Sequence, residues 1–223
     1  MIYSRDKKLR VRQHVNPLAQ KYQTSFEPPD WSAIYPASHQ PLFLDIGSAR
    51  GWFLLEMAQR SPDWNYLGLE IRQPLVDEAN RRKTNLESSN LHYLFCNANI
   101  ALPALLASLP PGALNYVAIQ FPDPWFKNRH AKRRVVQPDL VTSLAMYMSD
   151  GGTVFLQSDV RCVAEEMRDR FAASPHFQPT SASWLPENPL EIVTERERSC
   201  QDRCLPIYRL LLRKCRIGVP GSA

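Results

Sequence analysis

The ten residues LFLDIGSARG, at positions 42–51, set the architecture of the whole chain. The first five are mainly apolar, as in a short buried strand. Gly47 and Gly51 follow, and a glycine-containing turn from a strand into a helix is typical of open α/β sheets. Such sheets bind ligands at the carboxyl ends of their strands, so this turn is also a candidate ligand site.

Short apolar runs alternate with helical stretches along the rest of the chain. We predict strands at residues 42–46, 66–69, 91–95, 114–119, 153–157 and 207–212, and helices at residues 51–60, 74–86, 100–109, 160–171 and from Pro138 onward. Residues 176–213 are expected to hold two strands around a loop. Repeated strand–helix units favour a parallel sheet. The predicted fold class is therefore α/β: a doubly wound, seven-stranded, mostly parallel sheet with helices on both faces.

The length of 223 residues suits one domain with a substantial core. We predict a basic, partly flexible amino-terminal arm at residues 1–40, a single domain at residues 41–215 and a short tail at residues 216–223. The arm carries a run of cations in residues 5–12, and a short helix is expected near residues 18–22. A solvated terminus and an RNA-gripping arm explain this segment equally well.

Composition narrows the class of protein further. The net charge of +5 indicates an anionic partner. The five cysteines contain no Cys-x-x-Cys pair, so we predict reduced thiols and no metal site. No apolar run approaches the ~18 residues of a membrane helix, and no signal peptide is apparent. We therefore expect a cytoplasmic protein without a membrane partner.

The turn after the first strand distinguishes two kinds of nucleotide fold. A dinucleotide fingerprint would need glycines where Ala49 and Trp52 stand, so the spacing disfavours a dehydrogenase. The pattern is instead acid-x-Gly-x-small-x-Gly, which fits the loop of S-adenosylmethionine-dependent methyltransferases. This loop leaves room for the amino-acid part of the ligand, with Asp45 near its ammonium group.

Two further strand ends offer parts of one nucleoside pocket. Glu70 ends the second predicted strand, where a carboxylate can accept hydrogen bonds from both ribose hydroxyls. Asn97 follows the third strand, where an amide can meet an adenine edge. Each signal is weak alone, but their presence at three consecutive strand ends favours an S-adenosylmethionine site.

A second motif, QFPDPWFKNRHAKRR at residues 120–134, follows the fourth predicted strand. Its prolines end the strand and present Asp123 at the carboxyl end. Phosphates would bind the cations and a base would stack on an aromatic ring, so the motif predicts nucleic-acid binding. Trp125 is either a stacking residue or a core anchor of the loop, and His130 is expected to contact phosphate or backbone. The candidate phosphate ligands are Lys127, Arg129, Lys132, Arg133 and Arg134.

Together these motifs resemble the bacterial tRNA (guanine-N(7)-)-methyltransferase family over about residues 43–213. The resemblance is carried by Asp45-Ile46-Gly47, Gly51, Glu70, residues 121–134, Ser158-Asp159, Thr194-Glu195-Arg196-Glu197 and Pro206-Ile207-Tyr208-Arg209. It implies a class I, Rossmann-like methyltransferase fold with S-adenosylmethionine as donor and S-adenosylhomocysteine as product. It further implies the variable-loop guanine (position 46) of tRNA as acceptor, no DNA partner, and a monomer or homodimer.

The motifs and the resemblance also assign roles to single residues. The predicted cofactor-binding residues are Asp45, Gly47, Gly51, Glu70, Asn97 and Asp123. The resemblance implies that Asp123 is the catalytic residue. It also implies substrate binding by Lys127, Asp159, Thr194, Glu195, Arg196 and Glu197. Three positions depart from the family pattern: Ala49 replaces a glycine, Phe126 replaces a proline and Arg196 replaces an aromatic residue.

The expected chemistry needs no general base, because guanine N7 has a lone pair and no proton to lose. Catalysis would consist of alignment and exclusion of water. Asp123 is expected to stabilise the developing cation or to hold the Watson–Crick edge of the guanine. The base must first be extruded from the folded tRNA, with Trp125 or Phe126 taking over its stacking.

Several alternatives stay open at the level of sequence. Asp159 could cap the helix predicted at residues 160–171, and Thr194 with Glu197 could form a capping box, although no helix is predicted after them. A methyltransferase of exocyclic amines would need a second consecutive proline after Asp123. A catalytically idle RNA-binding module would bind tRNA without S-adenosylmethionine. No role is predicted for His14, His39, His92 or His176.

Overall fold

A computed structural model describes residue 11 and residues 14–216, so the cations of the basic run at residues 5–12 lie outside the described residues. The strands are β1 Leu42–Ile46, β2 Asn65–Glu70, β3 Leu91–Phe95, β4 Leu114–Gln120, β5 Thr153–Ser158, β6 Phe177–Pro179 and β7 Tyr208–Lys214. The α-helices are α1 Trp31–Ile34, α2 Trp52–Arg60, α3 Gln73–Asn85, α4 Ala98–Ala107, α5 Pro138–Tyr147, α6 Arg161–Ala172 and α7 Glu195–Asp202. Short 3-10 helices lie at Gln20–Tyr22 and Asn128–Arg133.

The strands form a seven-stranded sheet in the order β3-β2-β1-β4-β5-β7-β6. Neighbours from β3 to β5 in this order pair in parallel, whereas β7 is antiparallel to both β5 and β6. The chain therefore builds the sheet outward from β1 in one direction and then outward from β4 in the other. This reversal between β1 and β4 is the switch point at which an open α/β sheet forms a ligand crevice.

Helices cover both faces of the sheet, which explains why its central strands are almost wholly apolar. Every residue of β1 and β2 is buried. One buried cluster packs α2 and α3 against the sheet through residues such as Leu54 and Val76. The other packs α4, α5 and α6 through residues such as Leu102, Leu140 and Val163. The predicted fold class is confirmed.

The segment before β1 contributes to the core, which was not predicted. Trp31 and Tyr35 are buried, and their rings stack with centroids 6.1 Å apart. The Tyr35 hydroxyl donates to the Tyr66 carbonyl at 2.9 Å. These two residues therefore belong to the core and not to a partly flexible arm, as was predicted for residues 1–40. This apolar island is too short for a periodic pattern, and prolines surround it in the sequence.

Helix α7 is the second difference, since only a loop was predicted between the strands of residues 176–213. The sequence of this helix, ERERSCQD, is almost entirely polar, and it buries only Glu197 and Cys200. An amphipathic pattern is the main sign of a helix in a sequence, and a helix that buries a charged side chain lacks that pattern.

The described helices include none that is long and apolar enough to cross a membrane. Within the same residues, no group of three or more His, Cys, Asp or Glu side chains could hold a metal ion. All five cysteines are free thiols. Burial raises the pKa of Cys96 to about 12, so this thiol is uncharged at neutral pH.

Candidate active site

An open cavity of about 130 Å³ lies at the switch point between β1 and β4. Its walls are the segments that follow β1, β2, β3 and β4, together with part of the amino-terminal segment. The predicted site residues that line it are Gly47, Glu70, Asn97, Asp123, Trp125 and Arg133, whereas Asp45 and Gly51 are not among its lining residues. The structure thus brings residues from both sequence motifs to one mouth, while their individual roles stay predictions.

The turn after β1 has a left-handed backbone at alternate residues, with φ of 93° at Gly47, 49° at Ala49 and 76° at Gly51. Glycine adopts this conformation freely, whereas an alanine there costs about 1 kcal/mol. The departure at Ala49 therefore falls where the backbone favours glycine. Gly51 has a second constraint, because a Cβ atom there would lie 2.6 Å from the ring of Tyr93.

Asp45 is the most perturbed acid of the site. It is 4% exposed, and its Oδ1 accepts no hydrogen bond. Burial raises the pKa of Asp45 to about 7; the Gln120 side chain partly offsets this rise, and the negative charge of Glu70 adds to it. A buried carboxylate oxygen without a partner fits a cationic ligand group. The ammonium group of S-adenosylmethionine meets this requirement.

The Glu70 carboxylate holds the glycine loop against the turn after β2. Its Oε2 accepts from Ala49 N at 2.9 Å and from Arg72 Nη2 at 2.8 Å, while Oε1 accepts from Arg72 N and Nε at 3.0 and 2.8 Å. These contacts fill about four lone-pair positions. A ribose hydroxyl would bind Glu70 only after the Arg72 guanidinium moves aside.

Asn97 is in contact with the amino-terminal segment. Its Oδ1 caps α4 by accepting from Asn99 N at 3.2 Å. Its Nδ2 donates to the Pro17 and Tyr22 carbonyls at 3.0 and 3.2 Å. Val15 and Pro17 also line the cavity. Residues 14–22, here called the cover segment, therefore lie over the side of the mouth where the nucleoside was predicted.

Asp123 lies on the opposite side of the mouth and also contacts the cover segment. Its side chain is partly exposed, and Oδ1 accepts a hydrogen bond from His14 Nδ1 at 2.7 Å. Sequence analysis gave His14 no role, because a lone histidine far from both motifs carries no local signal. One short segment thus reaches both Asn97 and Asp123.

Arg134 holds the backbone of the second motif in place. Its guanidinium donates to the Pro124 and Trp125 carbonyls at 2.9 and 3.1 Å and pairs with Glu166. Phosphate binding by Arg134 was predicted, but the structure does not support it, since this side chain is mostly buried and already bonded. Its contacts stabilise a loop in which Phe121 and Trp125 have positive φ.

Three cations of the motif remain at the surface. Lys127, Arg129 and Lys132 are exposed and lie in or beside the 3-10 helix Asn128–Arg133. Arg133 is less exposed; it lines the cavity and lies over the Trp125 ring, 4.8 Å from its centroid. These positions suit contacts with a polyanion that passes across the mouth.

The two adjacent aromatic residues differ in their surroundings. Trp125 packs in the loop between Arg133, His130 and His14, with the two histidine rings 5.7 and 6.5 Å away. Phe126 is 70% exposed. This contrast favours the anchor alternative for Trp125 and leaves Phe126 available for stacking. Partial desolvation and the neighbouring cations lower the pKa of His130, which fits a neutral contact residue.

Asp159 follows β5 at the same edge of the sheet, and it forms an ion pair with Arg196 of α7. The helix-cap alternative for Asp159 is wrong, because Val160 is the N-cap residue of α6. Arg196 stands where the family pattern has an aromatic residue, so a charged contact with Asp159 is found where the family has an aromatic side chain. Glu195 is exposed beside it.

Thr194 and Glu197 form one half of a capping box. The Thr194 hydroxyl accepts from Glu197 N at 3.1 Å and caps α7. The Glu197 side chain does not return to the cap; it is wholly buried. Substrate contact by Glu197 was predicted, but the structure does not support it, since no solvent reaches this residue.

Comparison with known proteins identifies the family. Residues 39–210 match a protein family described as putative methyltransferase. The tRNA (guanine-N(7)-)-methyltransferase of Trichormus variabilis is 61% identical over 207 residues, which cover 92% of this chain and 96% of that protein. The chain belongs to the tRNA (guanine-N(7)-)-methyltransferase family. The protein of the same name from Synechococcus elongatus is 59% identical, over 92% of this chain and 96% of its own.

Solved structures support the fold independently of sequence. The antibiotic-resistance methyltransferase Kmr has a TM-score of 0.57 at 13% identity and covers 87% of this chain and 96% of its own. Phosphoethanolamine N-methyltransferase 2 of Haemonchus contortus, solved with S-adenosyl-L-methionine, has a TM-score of 0.52 at 12% identity and covers 79% and 49%. As a tRNA (guanine-N(7)-)-methyltransferase family member, the chain is an S-adenosylmethionine-dependent enzyme, which confirms the predicted cofactor.

Proposed function

We propose that this enzyme transfers the methyl group of S-adenosylmethionine to N7 of the variable-loop guanine (position 46) in tRNA, and that it does so in the cytoplasm, as a monomer or homodimer. The observation that carries the proposal is the shared mouth. A buried unpartnered carboxylate oxygen lies near one side, and a partly exposed acid with surface cations lies on the other. A donor with a cationic amino-acid part and a polyanionic acceptor match these two sides.

The test uses unmodified tRNA, S-adenosylmethionine and the purified enzyme, followed by nuclease digestion and mass analysis of the nucleosides. We expect 7-methylguanosine, and we expect none with a tRNA in which guanine 46 is replaced by adenine. A methyl group on an exocyclic amine would support the alternative methyltransferase, and tRNA binding without any product would support the idle RNA-binding module.

The donor side is proposed to consist of Asp45, Gly47, Gly51, Glu70 and Asn97. S-adenosylmethionine supplies an electrophilic methyl group on its sulfonium centre. Asp45 would pair with the ammonium group, and the turn of Gly47 and Gly51 gives the close backbone approach that the amino-acid part needs. Glu70 would accept from the ribose once Arg72 moves, and Asn97 would meet the adenine once the cover segment withdraws.

The acceptor side is proposed to position guanine rather than to deprotonate it. Asp123 lies at the mouth, and a carboxylate there stabilises the positive charge that the purine gains during methyl transfer. Lys127, Arg129, Lys132 and Arg133 would hold the tRNA phosphates. Asp159, Thr194, Glu195 and Arg196 would lie beside the extruded nucleotide, with Asp159 and Arg196 acting as a pair.

The affinity for S-adenosylmethionine should depend on pH through Asp45. Its raised pKa of about 7 means that acidification protonates it in the free enzyme, whereas the ammonium group needs the ionised form. Titration calorimetry should give a Kd about tenfold higher at pH 6 than at pH 7.5. Asp45→Asn should bind weakly at both values without this change. Equal pH dependence in both proteins would assign the titration to another group.

Phe126 should matter for tRNA and not for the donor. Because it is 70% exposed beside the mouth, we expect it to stack on the extruded guanine or on its neighbour. Phe126→Leu should lower kcat/KM for tRNA about tenfold, while Phe126→Trp keeps most of the activity. Met146→Ala, at an equally exposed apolar residue of α5, is the control. Equal activity of the Leu and Trp variants would argue against stacking.

A further inference from the structure

A row of polar side chains runs across adjacent strands of the sheet and reaches the cavity at Gln120. Arg209 of β7 donates through Nη2 to Glu197 Oε1 at 2.8 Å. Gln157 of β5 donates through Nε2 to Glu197 Oε2 at 3.1 Å and to Gln120 Oε1 at 2.7 Å. Gln120 ends β4, next to β1 and Asp45. The row thus leads from α7 to the donor side of the site.

Glu197 fixes the direction of every hydrogen bond in this row. It is wholly buried and paired with Arg209, and it also accepts from Asn188 Nδ2 at 2.7 Å. A carboxylate only accepts hydrogen bonds, so the Gln157 atom that faces it must be the amide nitrogen. That same nitrogen faces Gln120, which must therefore present its oxygen.

The amino group of Gln120 is consequently turned away from Gln157. Gln120 lines the cavity, and its Nε2 is buried without a hydrogen-bond partner. The Gln120 side chain faces Asp45 and partly offsets the rise in the pKa of that acid, but no full hydrogen bond joins the two, and Asp45 Oδ1 has no partner. Seven buried side-chain atoms among the described residues have no partner, and Gln120 Nε2 is the nitrogen among them that belongs to a cavity-lining residue, so an acceptor group of a ligand in the cavity would satisfy it.

We propose that Gln120 binds the carboxylate of the amino-acid part of S-adenosylmethionine, and that Glu197 is a positioning residue that orients Gln120 through Gln157. In this arrangement the carboxylate of Asp45 pairs with the ammonium group of the donor. The amide nitrogen of Gln120 donates a hydrogen bond to the carboxylate of the donor. The inference rests on the proposed function only in its choice of donor. It assigns Glu197 to the donor side, although this residue belongs to the motif that the resemblance assigns to the substrate.

The direct test compares two donors in calorimetry: S-adenosylmethionine and its decarboxylated form, which keeps the ammonium and sulfonium groups. The wild-type enzyme should prefer the complete donor by about tenfold, the effect of one hydrogen bond to a charged group. Gln120→Leu should lose this preference and bind both donors with similar Kd. A preference retained by Gln120→Leu would overturn the proposal.

The positioning role of Glu197 is tested with Glu197→Gln and Gln157→Leu. Both should raise the Kd for S-adenosylmethionine about tenfold and reduce the preference for the complete donor, while the Kd for tRNA changes less than about twofold. Weaker tRNA binding with an unchanged donor Kd would overturn it. Gln178→Leu, at an exposed glutamine of β6 that has no contact with the row, is the control.

A double variant keeps the test decisive if Glu197→Gln fails to fold. Residues that act in series give non-additive effects. Gln120→Leu combined with Gln157→Leu should therefore bind the donor no more weakly than Gln120→Leu alone. Additive losses would mean that the two glutamines act independently, which contradicts the proposed row. These variants should still form 7-methylguanosine at saturating donor. That result would show that the proposed reaction is retained while the donor contacts are changed.

Discussion

Replacing Asp123 with alanine should lower kcat for tRNA methylation by about 10²- to 10³-fold. The carboxylate lies at the mouth of the cavity, where we propose that it stabilises the positive charge of the purine, and no other acid among the described residues that line the cavity lies on this side. The affinity for S-adenosylmethionine should change by less than about tenfold, since Asp45 and Glu70 remain. Single-turnover rates with saturating donor and tRNA measure the effect.

Asp123→Asn distinguishes the two roles that this acid could have. The amide keeps the size and one acceptor oxygen but removes the charge. A loss as large as that of alanine indicates charge stabilisation, and an intermediate loss indicates that the residue mainly holds the guanine edge. Asp63→Ala, at an exposed acid before β2 on the opposite edge of the sheet, serves as control. Near-normal turnover of Asp123→Ala would remove this residue from the chemistry.

Neutralising the surface cations of the second motif should weaken tRNA binding by about 10²-fold or more at low salt. The triple variant with Lys127, Arg129 and Lys132 changed to alanine removes side chains that are exposed and that we propose to bind phosphates. The slope of log Kd against log salt concentration should fall by about 2, as each lost phosphate contact contributes about 0.7. Binding assays over a range of salt concentrations give both quantities.

A matched triple variant tests whether position or total charge is responsible. Arg60, Arg170 and Arg213 changed to alanine remove the same charge from the opposite edge of the sheet. We expect this variant to bind tRNA nearly as well as the wild type. Equal losses in both triple variants would mean that the enzyme attracts tRNA through its net charge alone.

The fold could be predicted from the sequence because the strands of the parallel core appear in it as short, mainly apolar runs. Leu42–Ile46 and Leu91–Phe95 were predicted with the boundaries that the structure gives. The strand Leu42–Ile46 is buried on both faces, so local composition and tertiary environment agree there, whereas Leu91–Phe95 lies at the edge of the sheet and is buried at alternate residues. The same pattern predicts which loops line the mouth, because the carboxyl ends of parallel strands lie at one edge of the sheet.

The parts that escaped prediction depend on contacts between distant residues. Glu197 looks like a surface acid in a charged stretch, and its burial against Arg209 and Gln157 becomes visible only when α7 packs on the sheet. Arg134 looks like its cationic neighbours, but it bonds to carbonyls of its own loop. A charged residue in a sequence is expected to face solvent or a ligand. Only the folded structure shows which charged side chains bond to other groups of the protein instead.

The division of the mouth between β1 and β4 has an evolutionary consequence. Most residues proposed to bind the methyl donor lie at the ends of β1, β2 and β3, with Gln120 added from the end of β4, whereas the exposed residues proposed to face the acceptor follow β4 and β5. Mutations of the exposed acceptor residues need not disturb the donor residues. A scaffold divided in this way can exchange a nucleic acid for a small metabolite over time and keep its donor, and the same architecture then recurs among enzymes with little sequence in common.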